Sequence, residues 1–256
     1  MRLCGIIIMS IKDDKQNKRR CVMEQNEGIK QDTQYLYYRV AEDSTRWDRM
    51  TGIELKRRIK SLLSDGESFE KMVDVISCLR LAPIFYLRTK NKEECAVPFV
   101  VTPQGEMLLL FTAKSQIQND KYKQYAVEST TYPALMKSLT AAIDTVIINP
   151  DSQFLPLSVE AVNNMIDMMD TVEDDLDKSM IEGFEKENLP PLMFERFLGR
   201  RVECETQDGT YIGDAFRYDL EDGRAYLDVE QSDNSKIKIF YDEVVSIRDI
   251  TNEERE

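Results

Sequence analysis

The clearest hydrophobic pattern lies between Ala96 and Pro150. Val97-Pro98-Phe99-Val100-Val101 and Met107-Leu108-Leu109-Leu110-Phe111 are two apolar runs joined by Thr102-Pro103-Gln104-Gly105. Turn residues between apolar runs predict an antiparallel hairpin. Leu135, Met136, Leu139 and Ile143 share one helical face, which predicts a helix over 132–143. Val146-Ile147-Ile148 then reads as a buried strand, stopped by Asn149-Pro150. Between hairpin and helix, residues 115–129 are polar and read as helix plus loop.

Upstream, Thr51 and Glu54 have capping-box spacing before an amphipathic helix over 51–63. Ile53, Ile59, Leu62 and Leu63 are assigned to its inner face, and Lys56, Arg57, Arg58 and Lys60 to water. Phe69, Met72, Val73, Ile76 and Leu79 predict a second helix over 67–81, followed by a strand over 82–87. Downstream, Ser158 caps a helix over 158–169 whose inner residues are Val162, Met165, Ile166 and Met169.

Past Gly199 the period falls to two. Five short runs centred near 203, 213, 228, 238 and 246 are separated by Gln207-Asp208-Gly209, Glu221-Asp222-Gly223 and Ser232-Asp233-Asn234, with Asp242-Glu243 before the last. Short strands at regular spacing with turn chemistry between them predict a small five-stranded antiparallel β-barrel.

The fold class is therefore α+β, a mixed α/β domain followed by a small barrel. The expected divisions are a polar, disordered extension over 1–50, the α/β domain over 51–170, an acidic linker over 171–192, the barrel over 193–250 and a tail over 251–256. Met9 and Met23 are alternative starts to Met1.

Charge and composition narrow the function. The chain carries a net charge of −13. Residues 1–60 are net +5, residues 61–192 net −10 and residues 193–256 net −8. Acidic bodies repel a phosphate backbone, so nucleic acid is disfavoured as a partner. Histidine is absent, which removes imidazole bases and Ser-His or Cys-His nucleophile pairs. Cys4, Cys21, Cys78, Cys95 and Cys204 contain no CxxC pair. The acids of Val172–Asp177 lack the order of a calcium loop. No metal, cofactor or catalytic residue is assigned. No run approaches the ~18 residues of a membrane span, and Ile6-Ile7-Ile8 is too short for a signal sequence, so a cytoplasmic, membrane-free protein is expected.

The Ile84–Leu87 strand, Val97-Pro98-Phe99, Pro103-Gln104-Gly105, Leu109-Leu110-Phe111-Thr112 and Val146-Ile147-Ile148-Asn149-Pro150 together resemble the SseB N-terminal domain family over residues 68–169. The resemblance implies a mixed α/β cytoplasmic domain of bacterial type, with no agreed reaction and no catalytic residue to transfer. Phe111, Thr112, Asn149 and Pro150 are the positions it marks. They read either as architecture or as a ligand or partner groove at the strand ends, where open α/β sheets bind. Gly199-Arg200-Arg201-Val202, Gly213 and Tyr218-Asp219 are similar to Sm-like barrels. No Asn follows Asp219, and Phe240-Tyr241-Asp242 stands in place of the second motif's Arg-Gly. The leading expectation is a non-enzymatic adaptor with an unidentified protein partner and undetermined oligomeric state. The alternatives are a nucleic-acid binder acting through the barrel and a carboxylate-dependent enzyme.

Overall fold

The computed structural model describes residues 32–66, 68–90, 96–103, 105–140, 142–186 and 191–253. Expectations for residues 1–31, for the 187–190 end of the linker and for 254–256 lie outside them.

The fold opens with helix α1 over residues 32–45. For residues 32–50 this corrects the expectation of a disordered extension. Leu36, Val40 and Ala41 are buried, and Asp43 is buried with them. A short 3-10 turn, Trp47–Arg49, leads into α2, Gly52–Ser64. Thr51 Oγ1 accepts a hydrogen bond from the Glu54 backbone N–H at 3.3 Å. The Glu54 carboxylate binds Arg57 and Arg58, so the expected capping box is half realised. The inner face of α2 is Leu55, Arg58, Ile59 and Leu62, whereas Ile53 and Leu63 are exposed. The assignment of Arg58 to water was wrong because a buried carboxylate receives it. Helix α3, Phe69–Leu81, is capped by Ser68 and buried on nearly all sides at its C-terminal end.

Six strands form the first sheet: β1 (Pro83–Thr89), β2 (Phe99–Thr102), β3 (Gly105–Phe111), β4 (Tyr125–Thr131), β5 (Thr145–Ile148) and β6 (Leu155–Ser158). Their order is β4-β1-β3-β5-β6, and β2 pairs with β3 as the hairpin pattern requires. Only β3 and β5 run parallel. Gly105 has φ +117° and sits against the Asp144 carboxylate; a Cβ there would fall 2.2 Å from Asp144 Oδ2. Of the stretch expected as helix plus loop, the first part holds two short 3-10 turns, Lys114–Ile117 and Asp120–Tyr122, and strand β4 takes up the rest. It pairs with β1 along its whole length, yet none of its residues is fully buried. Such an edge strand shows no clean alternation for sequence reading to catch. Helix α4, Tyr132–Ser138, is also shorter than predicted.

Helix α5, Val159–Glu182, is longer than predicted and absorbs the first half of the expected linker. Val172, Leu176 and Met180 continue the buried stripe of Val162, Ile166 and Met169. Gly183, at φ +106°, ends it.

The second sheet has the order β11-β10-β9-β8-β12-β7, all antiparallel: β7 (Phe184–Glu185), β8 (Arg201–Thr206), β9 (Gly209–Glu221), β10 (Arg224–Gln231), β11 (Lys236–Phe240) and β12 (Val244–Asp249). The five expected strands are present, but no closed barrel forms. Closure would pair β12 with β11; instead Ser246 and Ile247 of β12 pair with β7. A 3-10 segment, Pro191–Phe197, inserts Met193, Phe194 and Phe197 beneath this sheet. One continuous hydrophobic cluster runs from Leu36 and Ile59 through Met180 and Phe184 to Val202 and Ile247. A second, smaller cluster of Leu87, Phe111, Ile117 and Tyr122 covers the opposite face of the first sheet. Among the described residues no helix is long and apolar enough to cross a membrane.

Candidate binding surfaces

The structure gathers Thr112 and Asn149 at the C-terminal ends of the parallel strands β3 and β5. Asn149 Oδ1 accepts from the Thr112 backbone N–H at 2.9 Å and from Thr112 Oγ1 at 3.3 Å. Gln116 Oε1 accepts from the same two donors. The Asn149 N–H donates to the Leu110 carbonyl at 2.8 Å. Phe111 is buried edge-on against Tyr122, and Pro150 is half-buried at the following turn. Asn149 holds φ +52°, a left-handed conformation that Asn tolerates better than most residues. The first residue of α2 fills the crevice above: a Cβ on Gly52 would lie 1.8 Å from the Thr112 carbonyl oxygen. The four marked positions therefore form a closed, hydrogen-bonded junction.

A cleft of about 330 Å³ opens elsewhere in this sheet, where β1 parts from β3. Val97, Phe99, Leu108, Leu139 and Ile143 line it, and Tyr86, Arg88 and Glu128 stand at its polar end. Tyr86 and Glu128 are direct cross-strand partners, with the phenol donating to Glu128 Oε2 at 2.8 Å. The Arg88 guanidinium, and then the Tyr86 hydroxyl, hold the Glu128 carboxyl below the usual range. Burial and the same carboxylate raise the Tyr86 phenol. Both groups are thus fixed in their ordinary states near neutrality. The trio is not legible in the sequence because residue 128 falls in the polar stretch 115–129, which reads as helix plus loop; Val127, Thr130 and Thr131, three β-branched residues close together, are the available signal for a strand.

A third surface lies between α1, α3 and α5. Leu36, Tyr37, Phe69, Met168 and Val172 line an apolar groove of about 400 Å³. Met168 is 50% exposed, which leaves the groove open. Alongside it, the solvent face of α5 carries Glu160, Asp167 and Asp174 at seven-residue spacing. The helix holds eight carboxylates against one cation, Lys178. Arg80 takes up Asp170 and Glu173, and Arg196 takes up Asp177. The straight helix spreads these acids, and no three ligand side chains converge as a metal site among the described residues.

The described thiols, Cys78 and Cys204, are buried, and burial pushes both up to about 12. Neither is poised as a nucleophile. Comparison with known proteins finds no matching family model, no matching curated protein and no matching solved structure.

Proposed function

We propose that this chain is a non-enzymatic binding module, an SseB-like adaptor, whose groove between α1, α3 and α5 receives a basic amphipathic segment of a protein partner. One observation carries the reading. An open apolar groove lies directly beside the Glu160-Asp167-Asp174 stripe. A helix presenting apolar anchors on one face and lysines beside them matches both features. Glu54 is displaced far downward by its Arg57 hydrogen bond, and Glu128 is displaced downward by Arg88, which is the behaviour of structural ion pairs.

The nucleic-acid alternative has one observation in its favour. Lys236, Lys238 and Arg224 lie over the rings of Phe216, Tyr226 and Phe240 on the second sheet. Lys238 and Arg224 are, however, neutralised by Glu221 and Asp242. A phosphate backbone would meet no net positive footprint there.

The test is recovery of a partner by the full chain, compared with Met168→Asp and Asp167→Lys/Asp174→Lys. The purified partner segment is expected to bind less tightly as salt rises, to lose at least tenfold in affinity with Met168→Asp, and to weaken with the charge reversals. Recovery unchanged by both variants overturns the reading. Salt-sensitive binding of RNA or DNA to the full chain would favour the alternative.

A further inference from the structure

We propose that the cleft between α1 and α2 is an anion site that takes the phosphoryl group of a small phosphorylated molecule. The cleft measures about 220 Å³ and is lined by five arginines and three carboxylates, with Asp74 against Arg39 and Glu195 against Arg46 just outside the lining. The carboxylates are already engaged. Asp43 receives both terminal nitrogens of Arg58. Glu54 receives Arg57 and the Arg58 Nε. Glu42 receives Arg39 at 2.7 Å.

That leaves Arg46 and Arg49. Arg46 reaches Glu42 and Glu195 only at 3.5 and 3.4 Å, well beyond the ~2.7–2.9 Å of a strong charge-assisted bond. Its Nε is buried without a hydrogen-bond partner. Arg49 is exposed and has no partner among the described residues. Two guanidinium forks with spare donors beside one cleft suit an oxyanion with three acceptor oxygens.

Size and charge both select against a larger ligand. The volume is below the ~300–1,000 Å³ of ordinary small-molecule pockets, so the phosphoryl group enters and the rest of the molecule stays outside. Asp48, on the same turn as Arg49, and Glu195, beyond Arg46, set an acidic rim. A polyanion would meet that rim and the acidic body behind it.

The chain's single tryptophan, Trp47, is exposed two residues before Arg49 and serves as the reporter. The full chain is titrated with inorganic phosphate at fixed ionic strength, reading Trp47 fluorescence and the heat of binding. Saturable binding with a dissociation constant of about 1 mM is expected. It should weaken at least fivefold in Arg49→Gln and in Arg46→Gln, and stay unchanged in Arg217→Gln on the second sheet. Free phosphoserine is titrated in parallel. Tighter binding than phosphate identifies a phosphate ester as the ligand, and equal binding identifies the free oxyanion. Arg49→Gln removes no contact seen in the structure, so it reads the site even if Arg46→Gln unfolds the chain. Absence of saturation, or affinity unchanged in Arg49→Gln, overturns the proposal.

Discussion

Arg58 of α2 donates from both terminal nitrogens to the two carboxylate oxygens of Asp43 in α1, at 2.7 and 2.8 Å. The two side chains are 6% and 1% exposed. Ser77 Oγ of α3 adds a 2.6 Å hydrogen bond to the same carboxylate, so three helices meet at one charge pair. Removing one partner of a buried pair strands the other, at about 3–5 kcal/mol. Urea unfolding of Asp43→Ala and of Arg58→Met should each show a loss of that size. Joint replacement by apolar residues of similar volume, Asp43→Leu with Arg58→Met, should recover most of it, because no charge is then left unpaired. Single-variant losses within the ~0.5 kcal/mol of ordinary surface changes would remove the pair from the account.

Glu54 gives the acid side of the stability curve a specific source. The Arg57 hydrogen bond, opposed by partial burial and reinforced by Arg58, holds its carboxyl at about 2, against an ordinary 4.5. A carboxyl depressed in the folded state contributes stability that is present in full above its unfolded value and is lost as pH falls through the folded value. The window is therefore from about pH 4.5 down to about pH 2. Solvent screening at this partly exposed site limits the contribution to about 1 kcal/mol. Stability measured by urea midpoint from pH 6 to pH 2 should fall less steeply in Glu54→Gln than in the parent chain. Parallel curves would assign the acid limb to other carboxylates.

The Thr112–Asn149 junction predicts a graded series. Asn149→Ala removes one of the two acceptors of a buried backbone N–H, which keeps Gln116 Oε1, and puts Ala at φ +52°, which together should cost about 1–2 kcal/mol. Asn149→Gly removes the same acceptor without strain at φ +52° and should cost less. Gly52→Ala drives a methyl group into the Thr112 carbonyl, so the start of α2 must shift, at about 1–3 kcal/mol. Thermal unfolding of the three variants checks the order. A Gly variant as unstable as the Ala variant would show that the lost hydrogen bonds, not the left-handed backbone, set the cost.

The second sheet was legible because its turns carry their own chemistry. Asp222 and Gly223 both have positive φ, as a tight two-residue turn demands, and Asn234 does too. Its lack of closure was not legible, because only the pairing of Phe184-Glu185 with β12 decides it, and a two-residue strand has no pattern of its own. Helix α1 was hidden for a different reason. Leu36, Val40 and Ala41 are a thin apolar stripe among charges, and the helix is anchored by the ion pair described above. The end of α4 is not legible because Leu139 and Ile143 keep helical spacing, whereas the helix stops at Ser138 and Leu139 is already extended, at φ −80° and ψ +139°. At the candidate sites, Asn149-Pro150 stood out in the sequence, but its hydrogen-bonding role depends on Thr112, 37 residues away. Arg46 and Arg49 did not stand out, since charge pattern cannot say which arginines are already paired.

Helix α5 decides whether the chain unfolds as one body. Leu176 and Met180 pack into the same cluster as Ile59 on one side and Phe197 and Ile247 on the other. A stretch that reads as an acidic linker would let two domains melt separately; a buried helix spanning both should couple them. Calorimetry is expected to show one transition whose calorimetric and van't Hoff enthalpies agree. Leu176→Ala should lower the midpoint of that single transition, with a loss of about 2–5 kcal/mol from cavity formation. Leu176→Asp, which places a charge in the cluster, should lose more. If instead Leu176→Ala leaves a component from residues 193–253 melting at the parent temperature, the second sheet folds alone and α5 is a tether.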